Sequence, residues 1–174
     1  MMRKLRDVER PRGLRRIFYR LPIALYGLGL GRLLGGRFLL LEHRGRRSGR
    51  TRRTVLEVLR SDPASGTWYV ASGWGERTDW YRNLRHDPRA AIRVGSRRLR
   101  VEARLLSREE GECEVLRYGR DHPRSARGVA RLLGYEIDGG DVDLRALAAL
   151  QRGVALVSME GGASCAPRAP DGRC

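Results

Sequence analysis

The pattern of hydrophobic and polar positions changes period several times along this chain, and the changes predict its elements. Short runs rich in branched and aromatic residues, bounded by turn residues, are typical of β-strands. These runs are 38–43, 53–60, 67–72, 90–94, 98–106 and 154–158. A Gly-Ser pair at 95–96 lies between two of them and is a hairpin signal. The pattern therefore predicts strands that are joined by hairpins and short loops.

Other stretches of the chain, before, between and after these strands, predict helices. Apolar residues at roughly helical spacing within 14–34, with arginines between them, predict an amphipathic N-terminal helix. Further helices are predicted at 78–85, from a capping box at Ser107 to about Arg120, at 123–134 and at 141–150. Few helices separate consecutive strands, so a doubly wound parallel sheet is excluded. We predict a mainly β fold with peripheral helices: an antiparallel sheet or small barrel.

The length of 174 residues suits one domain with a substantial core. We expect a basic flexible N-terminus at 1–12 and a single domain at 13–159, of which 13–36 is the N-terminal helix. Residues 160–174 are mostly Gly, Ala, Pro and Arg, so we expect a disordered tail.

Positive charge is concentrated in the N-terminal third. The net charge is +16, and residues 1–60 hold 17 basic and 4 acidic groups, a net +13. Such a field attracts nucleic acid, anionic lipid or a polyanionic small molecule. Residues 12–34 could therefore lie on an anionic membrane surface, although packing on the domain's own core is the interpretation that we favour.

The compartment is inferred from cysteine usage and from the N-terminus. The three cysteines, an odd number without metal spacing, argue against a disulfide framework or a zinc site. The first 20 residues are too charged to contain the apolar region of a signal peptide. We expect a cytoplasmic protein, with the inner face of the cell membrane as a site of peripheral contact.

The stretch 44–53 is the first candidate site, because six arginines, one serine and two glycines occupy it between two predicted strands. Gly45 and Gly49 permit tight turns, and successive backbone N–H groups in such a turn can form an anion-binding concavity. Arginine adds bidentate contacts to phosphate or carboxylate. The stretch predicts a site for a compact, multiply charged anion; the alternative is a solvated basic loop.

A second candidate follows the third strand, where 71–75 reads A-S-G-W-G and 79–83 reads D-W-Y-R-N. Gly73 and Gly75 allow a close backbone approach to a flat ligand, and Trp74 or Trp80 could form a stacking surface. The alternative for Trp80 and Leu84, at helical spacing, is ordinary core. Together with the basic loop, this stretch predicts a site for a flavin-like nucleotide.

Other chemistry-bearing residues give weaker signals. The histidines His43, His86 and His122 are far apart, so we expect surface or capping roles and no metal site. Glu57 and Glu102 lie in predicted strands and are interpreted either as partners of arginine inside the barrel or as exposed residues. No nucleophile-elbow motif is present.

Three blocks in this order carry a family resemblance: G-R-R-S-G at 45–49 with Arg52 and Thr54, A-S-G-W-G at 71–75, and D-W-Y-R-N-L at 79–84. The chain resembles the deazaflavin (F420)-dependent nitroreductase and quinone reductase family over roughly 26–158. The resemblance implies a split antiparallel β-barrel, related to flavin-binding pyridoxamine phosphate oxidases. It also implies coenzyme F420 as the cofactor, in preference to FMN.

The resemblance also implies a set of cofactor-binding residues. In chain order these are Arg46, Arg47, Ser48, Gly49, Arg52, Arg53, Thr54, Val55, Ala71, Ser72, Gly73, Trp74, Asp79, Trp80 and Asn83. Those in the loop would meet the phosphate and the acidic tail, and those entering the second strand would line the cleft. Those at 71–73 would lie beside the ring system, and Asp79, Trp80 and Asn83 would close the cleft.

The implied activity is hydride transfer from reduced F420 to a quinone, nitro or enone acceptor. This chain departs from nitroreducing members at Arg47 and Gly73, where they have lysine. At 121–126 it reads D-H-P-R-S-A without the tyrosines of their substrate pocket. No catalytic residue is predicted, and Ser72 and Tyr81 are guesses for a proton donor. The oligomeric state is left open.

Two other functions remain open from the sequence. One is a non-catalytic barrel that carries F420, a fatty acid or haem. The other is a basic nucleic-acid-binding module, which predicts steeply salt-dependent binding without preference for a ring system.

Overall fold

The fold is built around strands that pair in an antiparallel closed barrel. The computed structural model describes residues 2–5 and 36–159. In these ranges the strands are β1 (Arg3–Lys4), β2 (Phe38–Arg44), β3 (Thr51–Asp62), β4 (Thr67–Ser72), β5 (Arg89–Val94), β6 (Arg97–Leu105), β7 (Tyr135–Glu136) and β8 (Arg152–Ser158). The barrel order is β2-β3-β4-β8-β6-β5, and β5 pairs with β2 to close it. This confirms the predicted antiparallel barrel.

The predicted strands are all present, with ends displaced by a few residues. Within the described residues, the sequence did not predict β1 and β7, which have two residues each and pair with each other. Elements this short carry no period that a sequence pattern could reveal.

Alternating apolar residues of the barrel strands fill its interior. On β2 the side chains of Leu39 and Leu41 are fully buried in this core. Trp80 and Leu84, from the helix that follows β4, belong to the same core cluster. The interpretation of these two residues as core is therefore confirmed.

Four helices surround the barrel within the described residues: α1 (Asp79–His86), α2 (Arg108–Asp121), α3 (Pro123–Leu132) and α4 (Asp141–Ala149). The capping box at the start of α2 is formed as predicted, since the Glu110 N–H donates to Ser107 Oγ at 3.1 Å. The Ser107 N–H donates in turn to Glu110 Oε2 at 2.8 Å.

An ion pair anchors α2 to the barrel. The Arg60 guanidinium donates to both oxygens of Glu114, at 2.9 and 2.7 Å, and lies 3.9 Å from the centre of the Tyr69 ring. Glu114 is only 5 % exposed, so its charge needs this partner. Arg60 occupies the point where the β3–β4 register shifts, and the pair therefore holds α2 over an irregular part of β3.

Several predictions concern residues that the structure does not describe. The N-terminal helix at 13–36, the membrane contact at 12–34, most of the N-terminus at 1–12 and the tail at 160–174 lie outside the described residues, apart from 2–5 and 36. Cys113 is disulfide-bonded, contrary to the cysteine count, which argued against a disulfide framework. Among the described helices, none has the length and apolar character needed to cross a membrane.

Two helical glycines offer a matched test of the packing between α2 and α4. A Cβ atom on Gly119 would lie 2.5 Å from Cδ2 of Leu144, which is buried in a cluster with Leu116 and Leu147. A Cβ atom on Gly128 would meet nothing within 4 Å. We expect Gly119→Ala to lower the free energy of unfolding by about 1–3 kcal/mol through overpacking. Gly128→Ala should raise it by up to about 1 kcal/mol through helix propensity.

Urea unfolding followed by circular dichroism measures both changes. An unchanged or higher stability of Gly119→Ala would contradict the close approach of α2 to Leu144.

Candidate functional site

A basic cavity lies at one end of the barrel, between the β2–β3 loop, the barrel rim and α1. Its volume is about 470 Å³, within the usual range of small-molecule sites. It is lined by His43, Gly45, Arg46, Arg47, Ser48, Arg52, Arg53, Thr54, Asp79, Trp80 and Asn83. Nine of the residues implied by the family resemblance thus line a single cavity, together with His43 and Gly45.

The loop that forms one wall of this cavity is a tight turn. Gly49 has a φ of +61°, a backbone conformation that favours glycine. The N–H groups of Ser48 and Gly49 both donate to the Gly45 carbonyl, at 3.2 and 2.8 Å. The Gly45 N–H donates to the Arg50 carbonyl at 2.9 Å. These three donors are used inside the turn, so they do not contribute to the predicted concavity of backbone N–H groups.

Side-chain guanidinium groups therefore supply the positive charge of the cavity, and two of the four are held by acidic partners. Arg46 Nη1 lies 3.1 Å from Asp79 Oδ1. Arg53 Nε lies 2.9 Å from Glu42 Oε1. Within residues 2–5 and 36–159, Arg47 and Arg52 form no ion pair. The cavity lining has four guanidinium groups and one carboxylate, a net charge of +3.

His43 was expected at the surface or in a capping role, but it is only 6 % exposed and lines the cavity. Burial lowers the pKa of its imidazole, and the nearby charge of Arg52 lowers it further. The sequence contains a signal for this position, since His43 follows Leu39 and Leu41 at the two-residue period of the inward face of β2. The ring is therefore a neutral group at the inner wall.

The remaining implied residues do not line this cavity. Ala71 and Gly73 line a second cavity of about 80 Å³, between β3, β4 and the helices α2, α3 and α4. Ser72 is buried, and its hydroxyl donates to the Gly75 carbonyl at 2.7 Å. The structure does not bring Gly49, Val55 or Trp74 into either lining.

The second cavity contains the hydrogen-bonded group around Glu57. The Tyr118 hydroxyl donates to Glu57 Oε1 at 2.5 Å, and Arg37 donates to the same oxygen from Nε and Nη2. Burial raises the pKa of Tyr118 to about 12, and the hydrogen bond to Glu57 adds to the rise. Glu57 is thus a partner of arginine, whereas Glu102 is exposed.

The basic cavity fits an anionic ligand with a flat part. Arg47 and Arg52 have guanidinium groups available for phosphate or carboxylate, and Trp80 adds an aromatic wall. In the described ranges, no group of three or more His, Cys, Asp or Glu side chains is arranged to hold a metal ion.

Comparison with known proteins identifies the family. The sequence profile of the F420H(2)-dependent quinone reductase family matches residues 16–123. The chain belongs to this family. Membership confirms the resemblance found in the sequence, and the family's electron donor is the predicted cofactor, F420 in its reduced form.

One curated relative is Rv3178 of Mycobacterium tuberculosis, whose name proposes an F420H(2)-dependent quinone reductase. It is 40% identical over 74 residues, which are 41% of this chain and 60% of the relative. The match thus spans about three fifths of the relative's length.

Solved structures of similar proteins include an F420-H2 dependent reductase, FDR-A, with 19% identity and a TM-score of 0.47 over 69% of this chain and 93% of that one. Another is the conserved protein Rv2991 of Mycobacterium tuberculosis, with 19% identity and a TM-score of 0.48 over 76% and 79%. The fold assignment rests on the strand order of this chain's own barrel.

Glu42, which holds Arg53 at the cavity rim, gives a pH-dependent prediction. Burial alone would raise the pKa of Glu42, but the hydrogen bond from Arg98 and the charges of Arg98, Arg53 and Arg93 lower it overall. A carboxyl with a lowered pKa in the folded state stabilises the fold above its unfolded pKa of about 4.3. This stabilisation is lost as the pH falls through the folded-state pKa.

We expect Glu42→Gln to lower the free energy of unfolding at pH 7 by about 1–3 kcal/mol, because the arginines around it lose their carboxylate. The difference from wild type should shrink as the pH falls below about 4. Urea unfolding at a series of pH values measures this. A difference that does not depend on pH would show that the Glu42 charge does not stabilise the fold.

Proposed function

We propose that this chain is an F420-dependent oxidoreductase that binds reduced F420 in the basic cavity and passes a hydride to a quinone-type acceptor. The observation that carries the proposal is the pair of guanidinium groups, Arg47 and Arg52, that line the cavity without an acidic partner among the described residues. The match to the F420H(2)-dependent quinone reductase family supports reduced F420 as the electron donor and motivates the choice of a quinone as the acceptor.

In this proposal the arginines divide into two groups. Arg47 and Arg52 bind the phosphate and acidic tail of the cofactor, because no carboxylate of the described chain neutralises them. Arg46 and Arg53 are held by Asp79 and Glu42 and shape the wall of the cavity. The family resemblance implied that all four arginines meet the ligand or line the cleft. The division assigns the ligand contacts to two of them.

The same cavity also suits a flat ring system. Trp80 is a rigid aromatic wall, since its side chain is 9 % exposed and packs in the barrel core. Thr54 lies at the rim of the same cavity. A ring system bound here is oriented by groups that the barrel holds in place, which supports the productive geometry that hydride transfer needs.

Reduced F420, when bound, supplies the hydride, so the protein needs to provide orientation and charge rather than an acid–base pair. The two residues that we guessed as proton donors do not line the cavity. Ser72 uses its hydroxyl within the turn that follows β4. Tyr81 is buried, and burial raises the pKa of its hydroxyl. Neither position supports a role in proton delivery.

Quinones lie in the membrane, and the proposed contact of residues 12–34 with an anionic membrane would bring the enzyme to them. That contact stays a prediction, because these residues lie outside the described part of the chain. Nitro and enone compounds are further acceptors that the sequence resemblance implied.

Charge reversal tests the proposed cofactor site. We expect Arg47→Glu and Arg52→Glu each to raise the Kd for F420 by about 100-fold or more, because a favourable charged hydrogen bond becomes a repulsion. Arg97→Glu is the matched control, because Arg97 is exposed and lies at the β5–β6 turn, away from the cavity lining. Fluorescence titration with F420 measures the Kd.

The salt dependence of the same titration provides a second readout, since screening weakens exposed charge contacts. Equal losses of affinity in Arg47→Glu, Arg52→Glu and Arg97→Glu would indicate a general field effect instead of a site. Absence of F420 binding by the wild type at low salt would contradict the proposed cofactor.

Anaerobic oxidation of reduced F420 with quinone, nitroaromatic and enone acceptors separates an enzyme from a carrier. We expect turnover with at least one quinone. Tight F420 binding without turnover of any acceptor would favour the non-catalytic carrier.

A further inference from the structure

Asn83 of α1 joins the barrel rim to the basic loop. It is 4 % exposed. Its Oδ1 accepts from the backbone N–H of Arg46 at 3.1 Å and from Arg46 Nη1 at 2.9 Å. Both Arg46 groups can only donate, so the carbonyl oxygen of the Asn83 amide must face Arg46. The amide nitrogen must then face the opposite side.

His43 of β2 occupies that opposite side. Asn83 Nδ2 lies 3.2 Å from His43 Nδ1. An amide nitrogen only donates, so Nδ1 must accept, and a neutral ring then has its hydrogen on Nε2. The other neighbour of Nδ1, the Arg44 carbonyl, lies 3.5 Å away, which is long for a hydrogen bond. A hydrogen on Nδ1 would also oppose the Asn83 amide hydrogens.

We propose that His43 is a positioning residue of the basic cavity: as the neutral Nε2–H tautomer it fixes the Asn83 amide, which in turn orients Arg46 and the first turn of the loop. The consequence for ligand binding rests on the proposed function. The tautomer itself does not, because it follows from the hydrogen-bond directions alone.

The charges around His43 are consistent with a neutral ring. Arg52 faces it across the β2–β3 pair, and Asp79 faces it from α1. On the other side, β5 presents Ala90, which has no charge. Burial lowers the pKa of His43 most and Arg52 lowers it further, while the Arg44 carbonyl and Asp79 act in the opposite sense.

The tautomer can be measured directly by long-range ¹H–¹⁵N spectroscopy on protein labelled at histidine. The chain has three histidines, and His43→Asn identifies the signal of His43 by its loss. At pH 7 we expect this ring to show an unprotonated Nδ1 and a protonated Nε2, and to titrate below the ordinary histidine range. His86 and His122, both exposed, are internal controls in the same spectra. An Nδ1-protonated or doubly protonated His43 at pH 7 would overturn the proposal.

Asn83→Asp tests the direction of the Asn83–His43 bond. The carboxylate can still accept from Arg46, but it cannot donate to Nδ1, and its charge favours the imidazolium. We expect His43 to move its hydrogen to Nδ1 and to titrate at a higher pH than in the wild type. An unchanged tautomer and titration would show that Asn83 does not control the ring.

Two substitutions of His43 then test whether the bond matters for binding. The Oδ1 of His43→Asn can accept from Asn83, whereas His43→Leu cannot. We expect the F420 Kd of His43→Asn to stay within about threefold of the wild type and that of His43→Leu to rise by about tenfold. We expect KM for F420 to rise in His43→Leu while kcat changes little, because the ring orients a binding group.

Wild-type affinity in His43→Leu, with its fold confirmed by thermal unfolding, would overturn the positioning role. A wild-type protein that binds no F420 would contradict the proposed function instead. In that case the histidine spectra and the Asn83→Asp titration still decide whether the His43–Asn83 bond exists as proposed.

Discussion

The candidate site depends on which of its arginines have a carboxylate partner and which do not. In a chain with a net charge of +16, an arginine near a cavity indicates little by itself. Asp79 and Glu42 neutralise two of the four cavity arginines and fix them in place. Arg47 and Arg52 are left to attract an anion, because the described residues offer them no acid. In the proposed function, the availability of Arg47 and Arg52, more than the number of basic residues, is what attracts a ligand with a compact negative charge.

The barrel makes this distribution possible. Glu42 and Arg53 face each other across the β2–β3 pair, and Arg98 approaches the same carboxylate from β6. Three strands therefore meet at one buried acid, and the antiparallel register fixes which arginine it reaches. The loop between β2 and β3 is short and closed by its own hydrogen bonds. Its side chains consequently project from a rigid turn, which lowers the cost of ordering them when a ligand binds.

The sequence predicted the elements of the barrel well because each strand carries a clear two-residue period and each turn has its own residues. Nine of the residues that the family resemblance implied, from the basic loop, β3 and α1, line one cavity. The sequence could not reveal that Glu42 pairs with Arg98, 56 positions later. Nor could it reveal that Ala71 and Gly73 line a different cavity from Thr54. Those facts depend on the direction of side chains across a closed sheet. The position of His43 in the cavity was not predicted, because the residue was considered as an isolated histidine. It is the third inward-facing position of β2.

The contrast between the two cavities bears on the kind of chemistry that this protein performs. The basic cavity has charge and an aromatic wall, yet its one histidine is held neutral by burial and by Arg52. The tyrosine at the second cavity gives its hydrogen bond to Glu57, and its pKa of about 12 keeps it neutral at physiological pH. Among the described lining residues, burial thus disfavours the charged forms of both His43 and Tyr118. A site that orients and neutralises an anionic cofactor, and leaves the reactive step to that cofactor, is the arrangement that these residues support.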